Sequence, residues 1–202
     1  MPTEYFSHED FPQGSPKWKA LRAGIVTASE FGAMLAKGEG KMRRALLLRL
    51  AGERITGEPE ETFTNAAMER GRQMEEQARL AYALVAGAEP KRISFARNEL
   101  AGASPDALLS ADGLLEVKNC KPSVLIEILE KGDFPPQHVA QVQGQMWITE
   151  RAWCDLVCYW PKMPLFIKRA YRDPAYIANL RSAVIDFNRD LDAMVAKIKA
   201  YG

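Results

Sequence analysis

The sequence predicts a mixed α/β fold (α+β mixed), in which a central mixed β-sheet is flanked by helices. Four segments have the apolar patterns of strands: 91–103, 114–118, 152–160 and 165–171. Helical patterns stand before, between and after these segments, which is typical of a sheet with helices packed against it. The length fits one domain over residues 1–202, closed by a long helix at 174–201.

The first elements are short. Residues 1–15 carry no periodic pattern and are expected to be irregular. Ser15 followed by Pro16 is a typical helix start, with a serine cap and a proline in the first turn. Thr27 and Glu30 have capping-box spacing, so a second short helix is expected to open there.

Longer helices follow at 42–56 and 65–85, each with apolar residues at helical spacing. The predicted inner face of the first comprises Met42, Leu46, Leu47 and Leu50. That of the second comprises Met68, Gly71, Met74, Ala78, Ala81 and Tyr82. Two further helices are expected at 123–131 and 137–148. In the final helix the predicted inner face is Ile177, Leu180, Val184, Phe187, Leu191, Met194, Val195 and Ile198.

Composition narrows the class of protein. No apolar run reaches the roughly 18–20 residues of a membrane span, and the polar, acidic N-terminus does not resemble a secretory signal. Three cysteines and two histidines make a disulfide framework or a zinc site a poor expectation, and buried thiols fit a reducing cytoplasm. The net charge of +1 argues against a generic basic nucleic-acid coat protein. It leaves open a DNA enzyme whose positive charge is concentrated in one channel.

One stretch, from Ser104 to Cys120, combines an aspartate, a glutamate and a lysine near a short strand. Asp106 follows a proline, and Glu116 and Lys118 share one face of the strand because the side-chain period is two. Two carboxylates are suited to a divalent cation such as Mg²⁺, and a lysine beside them can orient a water molecule or neutralise phosphate charge. The alternative is a hairpin turn at Asp112 with a solvated surface ion pair.

Side chains on the predicted helices offer partners to this stretch. Glu75 borders the inner face of its helix, and Gln141 and Gln145 lie one turn apart on theirs, although each is equally compatible with a polar flank. A separate group comprises Arg22, Thr27 and Ser29. Hydroxyls and free N–H groups at a helix start beside an arginine can bind a phosphate, and they are also ordinary helix caps.

Several blocks of the sequence resemble one family. SPDALL followed by LLEVK resembles the PD-(D/E)XK nuclease motif. WKALRAGIVTASEFGAML, GRQMEEQARLAY and QHVAQVQGQMWITERAWCDLVCYWP are similar, in order and spacing, to the phage lambda exonuclease (YqaJ-like recombinase) family. The likeness covers residues 16–161 and implies a core like that of restriction endonucleases.

The resemblance implies a specific activity. It implies a Mg²⁺-dependent exonuclease, with Mn²⁺ as a substitute, that digests one strand of linear duplex DNA from the 5′ end to mononucleotides and leaves a 3′ overhang. It also implies a ring-shaped homotrimer around DNA, a single-strand annealing protein as the partner in recombination, and a phage or prophage gene product in the cytoplasm of a bacterial host.

The resemblance also implies roles for individual residues. The catalytic residues would be Glu75, Asp106, Glu116, Lys118 and Gln141. The metal ligands would be Asp106, Glu116, the Val117 carbonyl and Glu75. The 5′-phosphate pocket would comprise Arg22, Thr27 and Ser29. Met68 falls where the family has an apolar wedge for the DNA end, and it is equally a core side chain.

Two features depart from the family pattern. His138 stands where an aromatic residue is expected, and a histidine there is interpreted as a DNA or water contact. The loop at 37–41 is short, so the family's DNA contacts in 37–45 are not carried over. The alternatives are a PD-(D/E)XK endonuclease and a non-catalytic DNA-binding protein of the same fold.

Overall fold

A computed structural model of the chain describes residues 2–36, 40–60 and 66–201, with the side chains of 66–70 and 72 left out. The helices have the following bounds: α1 Pro16–Arg22, α2 Phe31–Met34, α3 Lys41–Thr56, α4 Ala66–Ala86, α5 Pro122–Lys131, α6 Val139–Thr149 and α7 Pro174–Lys199. The strands are β1 Glu4–Ser7, β2 Ile93–Arg97, β3 Gly102–Ala103, β4 Ala107–Leu109, β5 Gly113–Asn119, β6 Trp153–Tyr159 and β7 Phe166–Tyr171.

The strands form two sheets rather than the single central sheet that the sequence predicts. A three-stranded antiparallel sheet has the order β1-β2-β3, and a four-stranded mixed sheet has the order β4-β5-β6-β7. Within the second sheet only β5 and β6 are parallel. Parallel neighbours need a crossover connection, and α5 and α6 supply it between these two strands. The mixed fold class is therefore confirmed, and the sheet is divided.

The sequence predicts an irregular N-terminal segment, but the structure has a strand there. β1 pairs antiparallel with β2, and the ring of Phe6 lies 5.4 Å from that of Phe11 and 6.1 Å from that of Phe95, centroid to centroid. The pairing is long-range in the chain, and a four-residue strand is too short to show a local alternation. The prediction was wrong because pairing with β2, and not the sequence of the segment itself, makes residues 4–7 a strand.

Helices α4 and α6 pack on opposite faces of β5. Leu115 and Val117 face α4 and pack with Ala78 and Tyr82. Leu114 faces α6 and packs with Val142, Met146 and Cys154. Since side chains alternate along a strand, Glu116 and Lys118 lie on the α6 face with Leu114.

Buried polar contacts tie α4 to the sheet. Tyr82 donates a hydrogen bond from its hydroxyl to Asp155 Oδ2 at 2.7 Å. Arg169 reaches the same carboxylate with Nε and Nη2, at 2.7 and 2.9 Å, and its guanidinium stacks over the ring of Trp153. This network fixes α4 against β6 and β7, and so sets the depth at which residues of α4 reach the edge of β5.

Helix α6 is almost wholly buried and also packs against the turn that precedes α2. A Cβ atom added at Gly144 would overlap the ring of Phe31 and lie 3.4 Å from Ala28 Cβ. The glycine therefore permits close contact between α6 and the Ala28–Glu30 turn. This contact brings two groups of predicted site residues, one on each element, towards the same region.

Two predicted inner faces extend past the core. Met42 is 61% exposed and Ile198 is 45% exposed, because α3 begins and α7 ends beyond the elements that cover them. The other residues of the predicted inner face of α7 up to Leu191 are buried as expected. All three cysteines are buried and free. Among the described helices, none has the length and hydropathy needed to cross a membrane.

Candidate active site

Strand β5 extends beyond its hairpin partner, which leaves one edge of its backbone free. β4 begins at Ala107, opposite Leu115, whereas β5 continues to Asn119. Asp106 occupies the free edge, and its Oδ2 accepts a hydrogen bond from the Val117 N–H at 2.6 Å. The carbonyl of a strand residue lies on the same edge as its N–H, so the Val117 carbonyl also faces this side. A carboxylate and a backbone carbonyl are thereby placed together.

The predicted glutamate, lysine and glutamine form one hydrogen-bonded group on the α6 face. Lys118 Nζ lies 2.7 Å from Glu116 Oε1 and donates to Gln141 Oε1 at 2.8 Å. Gln141 Nε2 donates to the same Glu116 Oε1 at 2.6 Å. Glu116 is 4% exposed, so the sequence alternative of a solvated surface ion pair is wrong for this residue.

Helix α4 brings Glu75 to the opposite side of the strand edge. Arg79, one turn later and 5% exposed, donates to Glu75 Oε1 at 3.3 Å and to the backbone carbonyl of Asp106 at 3.1 Å. Its other nitrogen donates to Glu76 Oε2 at 2.5 Å. Arg79 therefore connects the predicted acidic residue of α4 to the chain segment that carries Asp106.

The three carboxylates repel one another. Burial raises the pKa of Asp106 well above its usual value, and the charges of Glu116 and Glu75 raise it further, against the opposing Val117 hydrogen bond. Burial alone would lower the pKa of Lys118, but the charge and hydrogen bond of Glu116, with Asp106, raise it above its usual value. Lys118 is thus held as an ammonium ion.

The residues present fit a hard divalent cation. Within the described ranges no three His, Cys, Asp or Glu side chains are gathered closely enough to enclose a metal ion as they stand. Asp106, whose pKa is raised in part by the charge of Glu116, nevertheless forms with Glu116 and a strand carbonyl the kind of oxygen ligand set that Mg²⁺ and Mn²⁺ prefer. A cation would offset the repulsion that raises the pKa of Asp106. Asp106, Glu116 and the Val117 carbonyl would hold it, with Glu75 nearby.

Arg22 is the centre of a second group, which suits an anion. Its Nη1 donates to Ser104 Oγ at 3.0 Å and its Nη2 to Thr27 Oγ1 at 3.4 Å. The guanidinium carbon lies 4.3 Å from the Trp18 ring centroid. Thr27 Oγ1 is 3.2 Å from Ser29 Oγ, and Ser29 is exposed. The predicted trio is therefore brought together, with two hydroxyls and a guanidinium able to bind phosphate oxygens.

The cap predicted at Thr27 is present, and phosphate binding there stays a prediction. Glu30 Oε2 accepts from the Thr27 N–H and from its hydroxyl, both at 2.9 Å, as in a helix-capping contact. Glu30 is itself paired with Arg49. Trp18, Arg22, Thr27, Glu30 and Arg49 line part of a cavity of about 460 Å³. The pocket thus joins an open space large enough for a small ligand.

Sequence reasoning gave no site role to three residues of these groups, although it named Gln145 as a possible partner. Ser104 contacts Arg22, Gln145 donates to Glu116 Oε2 at 2.6 Å, and Arg79 bridges Glu75 and Asp106. Each lies within or one turn from an assigned position: Ser104 opens the SPD motif, Gln145 follows Gln141 by four residues, and Arg79 follows Glu75 by four. Their spacing in the sequence could have indicated them as candidates, but the direction of each side chain depends on the fold.

Three predictions concern residues at the margins of the site. His138 is partly buried and immediately precedes α6. Burial lowers the pKa of His138, and the charge of Lys118 lowers it further, so this side chain lies near the site. Met68 lies on α4, but its side chain falls outside the described residues, so the DNA wedge stays a prediction. Residues 37–39 of the predicted short loop also lie outside them.

Comparisons with known proteins agree with this arrangement. The domain profile of the YqaJ-like viral recombinase domain matches residues 17–152. No curated protein sequence matches the chain at a significant level.

Among solved structures, the alkaline exonuclease LHK-Exo from Laribacter hongkongensis is 32% identical, with a TM-score of 0.84 over 93% of this chain and 97% of that one. Its complex with dAMP gives a TM-score of 0.85 over the same shares of the two chains at the same identity. A phage-related exonuclease from Haemophilus somnus 129PT shares the fold, with 15% identity and a TM-score of 0.68 over 89% of this chain and 99% of that one. The expected PD-(D/E)XK type of core is confirmed by the match to the alkaline exonuclease. The domain profile covers most of the chain, and the chain belongs to the YqaJ-like viral recombinase family.

Proposed function

We propose that this protein is a Mg²⁺-dependent exonuclease that digests one strand of linear double-stranded DNA from its 5′ end to mononucleotides. The alkaline exonuclease fold and the family support a nuclease. One observation supports digestion from a strand end, and the 5′ polarity is proposed from the family resemblance. Ser104, which contacts the Arg22 anion group, and Asp106, which contacts the free edge of β5, are separated by a single residue. An anion site beside a hydrolytic site suits an enzyme that works from a strand end.

The chain's own residues account for the main requirements of phosphodiester hydrolysis. When bound, a divalent cation supplies Lewis-acid charge neutralisation and lowers the pKa of a water ligand. Asp106, Glu116 and the Val117 carbonyl would bind that cation, and Glu75 would support it or its water shell. Lys118, held as an ammonium ion by Glu116, would orient the attacking water and stabilise the charge that develops on the phosphate. Gln141 fixes the lysine against the glutamate.

The anion group would receive the 5′-phosphate of the strand being digested. A guanidinium binds two phosphate oxygens at once, and Arg22 already uses both terminal nitrogens towards hydroxyl groups. Ser104, Thr27 and Ser29 would supply hydroxyl donors. The dAMP complex of LHK-Exo shows that the related enzyme binds a nucleoside monophosphate, in keeping with the mononucleotide product proposed here.

The central experiment compares linear duplexes carrying a 5′-phosphate or a 5′-hydroxyl with a closed circular duplex, each with Mg²⁺ or EDTA. The expected result is Mg²⁺-dependent release of mononucleotides from linear DNA, faster from phosphorylated ends, and a persistent 3′-ended strand. Cleavage of the circle would favour the endonuclease alternative, and metal-independent binding without cleavage would favour the non-catalytic one.

The proposal extends to assembly. A homotrimeric ring around DNA, a single-strand annealing protein as partner and action in the cytoplasm of a bacterial host follow from the family resemblance. Light scattering of the purified chain at several concentrations tests the trimer, since a ring of three has three times the mass of the 22.6 kDa chain.

A further inference from the structure

Helix α6 presents two amides, not one, to the buried glutamate. Gln145 Nε2 donates to Glu116 Oε2 at 2.6 Å, while Gln141 Nε2 donates to Oε1 at 2.6 Å. Residues four apart on a helix share a face, so both amides address the same carboxylate. Gln145 is 1% exposed. The carboxylate is therefore held at both of its oxygens by one helix.

The two oxygens are not equally engaged. A carboxylate has about four lone-pair positions for donors. Glu116 Oε1 is contacted by Gln141 and Lys118, whereas Oε2 receives only Gln145 among the described residues. These contacts leave one lone pair, on Oε2, for a further ligand. The Gln145 contact determines which way that oxygen faces.

Packing does not explain an amide at this position. Within the described part of the chain, Gln145 Oε1 is a buried side-chain atom without a hydrogen-bond partner. The reverse orientation of the amide would set its oxygen against a carboxylate oxygen. An unpaired buried polar atom destabilises the fold, and a methionine of similar length would avoid that cost. What Gln145 supplies in return is a donor to Glu116.

We propose that Gln145 is a positioning residue, which fixes the Glu116 carboxylate so that one lone pair of Oε2 serves the divalent cation. This inference rests on the proposed function, which makes Glu116 a metal ligand. Groups that orient a metal ligand typically change metal affinity by 10- to 100-fold when they are removed. Gln145 would act through Glu116 and contact neither the cation nor the DNA.

The same helix offers a matched control. Gln143 is 7% exposed, and in the described part of the chain its amide hydrogen-bonds to backbone groups alone: Nε2 donates to the Tyr171 carbonyl at 2.9 Å and Oε1 accepts from the Asp173 N–H at 3.0 Å. Gln143→Met therefore removes a comparably buried amide without touching Glu116. Its effect is expected on folding stability and not on metal binding.

The experiment measures binding of Mn²⁺ alone to the full chain, previously stripped with EDTA, by electron paramagnetic resonance of the free ion. Gln145→Met is expected to weaken Mn²⁺ binding 10- to 100-fold, and Gln143→Met to leave it within about twofold. In EDTA, Gln143→Met is expected to lower the melting temperature more than Gln145→Met does, because it leaves two backbone groups unpaired. High Mg²⁺ should restore much of the cleavage rate of Gln145→Met.

The outcomes separate the two proposals. Wild-type Mn²⁺ affinity in folded Gln145→Met would overturn the positioning role. Absence of Mn²⁺ binding to the unaltered chain would overturn the proposed function, and this inference with it. If Gln145→Met does not fold, Gln145→Asn carries the test. Its amide is one methylene too short to reach Glu116, so the same loss of affinity is expected, and retained affinity would refute the role.

Discussion

Replacing Arg22 with alanine is expected to remove the preference for 5′-phosphorylated ends while sparing the hydrolytic site. The guanidinium contacts Ser104 and Thr27 and stacks on Trp18, and none of these contacts involves Glu116 or Lys118. The variant therefore tests whether the residues around Arg22 and the residues around Asp106 and Glu116 have separate functions.

The magnitude follows from the charged hydrogen bonds that Arg22 would donate to the phosphate. A hydrogen bond to a charged group contributes about 1.5–3 kcal/mol, and one decade in rate corresponds to about 1.4 kcal/mol. Arg22→Ala should therefore lower the ratio of the cleavage rates of phosphorylated and hydroxyl ends by about 10- to 100-fold. Arg22→Lys keeps the charge but removes the planar fork, and an intermediate ratio is expected.

The assay measures initial rates on two duplexes that differ only in the 5′ group, at the same ionic strength. Arg97→Ala is the control, because Arg97 also stacks on an aromatic ring, that of Phe6, and is paired with Glu4 away from both site groups. It removes the same charge and is expected to leave the ratio unchanged. Equal loss on both kinds of end with Arg22→Ala would refute the phosphate assignment.

Three further predictions concern the hydrolytic site and its support. Lys118→Ala should lower the cleavage rate by about 10²- to 10⁴-fold and leave DNA binding intact. The melting temperature should change little, because Glu116 keeps both amide donors. Normal digestion by this variant would contradict the assigned role. Because the pKa of Asp106 is raised in the folded chain, the folded chain holds a proton that the unfolded chain releases, so stability in EDTA should fall as pH rises above the usual carboxyl value of about 4. Melting curves at about pH 5 and pH 8 should show that Mg²⁺ raises the melting temperature more at the higher pH. A rise that is the same at both pH values would count against this. So would an Asp106→Asn variant whose stability depends on pH in the same way as that of the unaltered chain. Gly144→Ala should lower the free energy of unfolding in urea by about 1–3 kcal/mol, because the added methyl group overlaps Phe31. In the control Gly52→Ala on α3, the added methyl group meets no atom, so this variant should be more stable than the unaltered chain. If Gly144→Ala were instead the more stable of the two variants, α6 would not pack against the Ala28–Glu30 turn.

The pairing of Glu116 with Lys118 was predictable because it depends only on the period of a strand, and β5 confirms it. The two long helices at 42–56 and 174–201 were predictable from their apolar spacing, although Met42 and Ile198 show that the pattern does not tell where a core ends. The hydrogen bond from Val117 to Asp106 could not be predicted. It requires β4 to begin at Ala107 while β5 continues, and this is a property of strand register.

Residues that act through other residues were the hardest to find. Arg79 and Gln145 sit at helical spacing from Glu75 and Gln141, but a spacing does not state which helix face meets the sheet. β1 was missed for a related reason, since its partner β2 lies far along the chain. In each case the missing information was the packing of one element on another.

The Ser104–Pro105–Asp106 segment has a consequence for how the enzyme could change. With one intervening residue, the two Cα atoms are at most about 7 Å apart, and the proline restricts the backbone between them. Ser104 is anchored to Arg22 at one end and Asp106 to Val117 at the other. The separation of the two groups is therefore set by covalent bonds and not by the packing of a loop. Under the proposed function, surface loops around the site can vary in length without altering the distance from the strand end at which a bond is cut, and a different product length would require rebuilding this tripeptide.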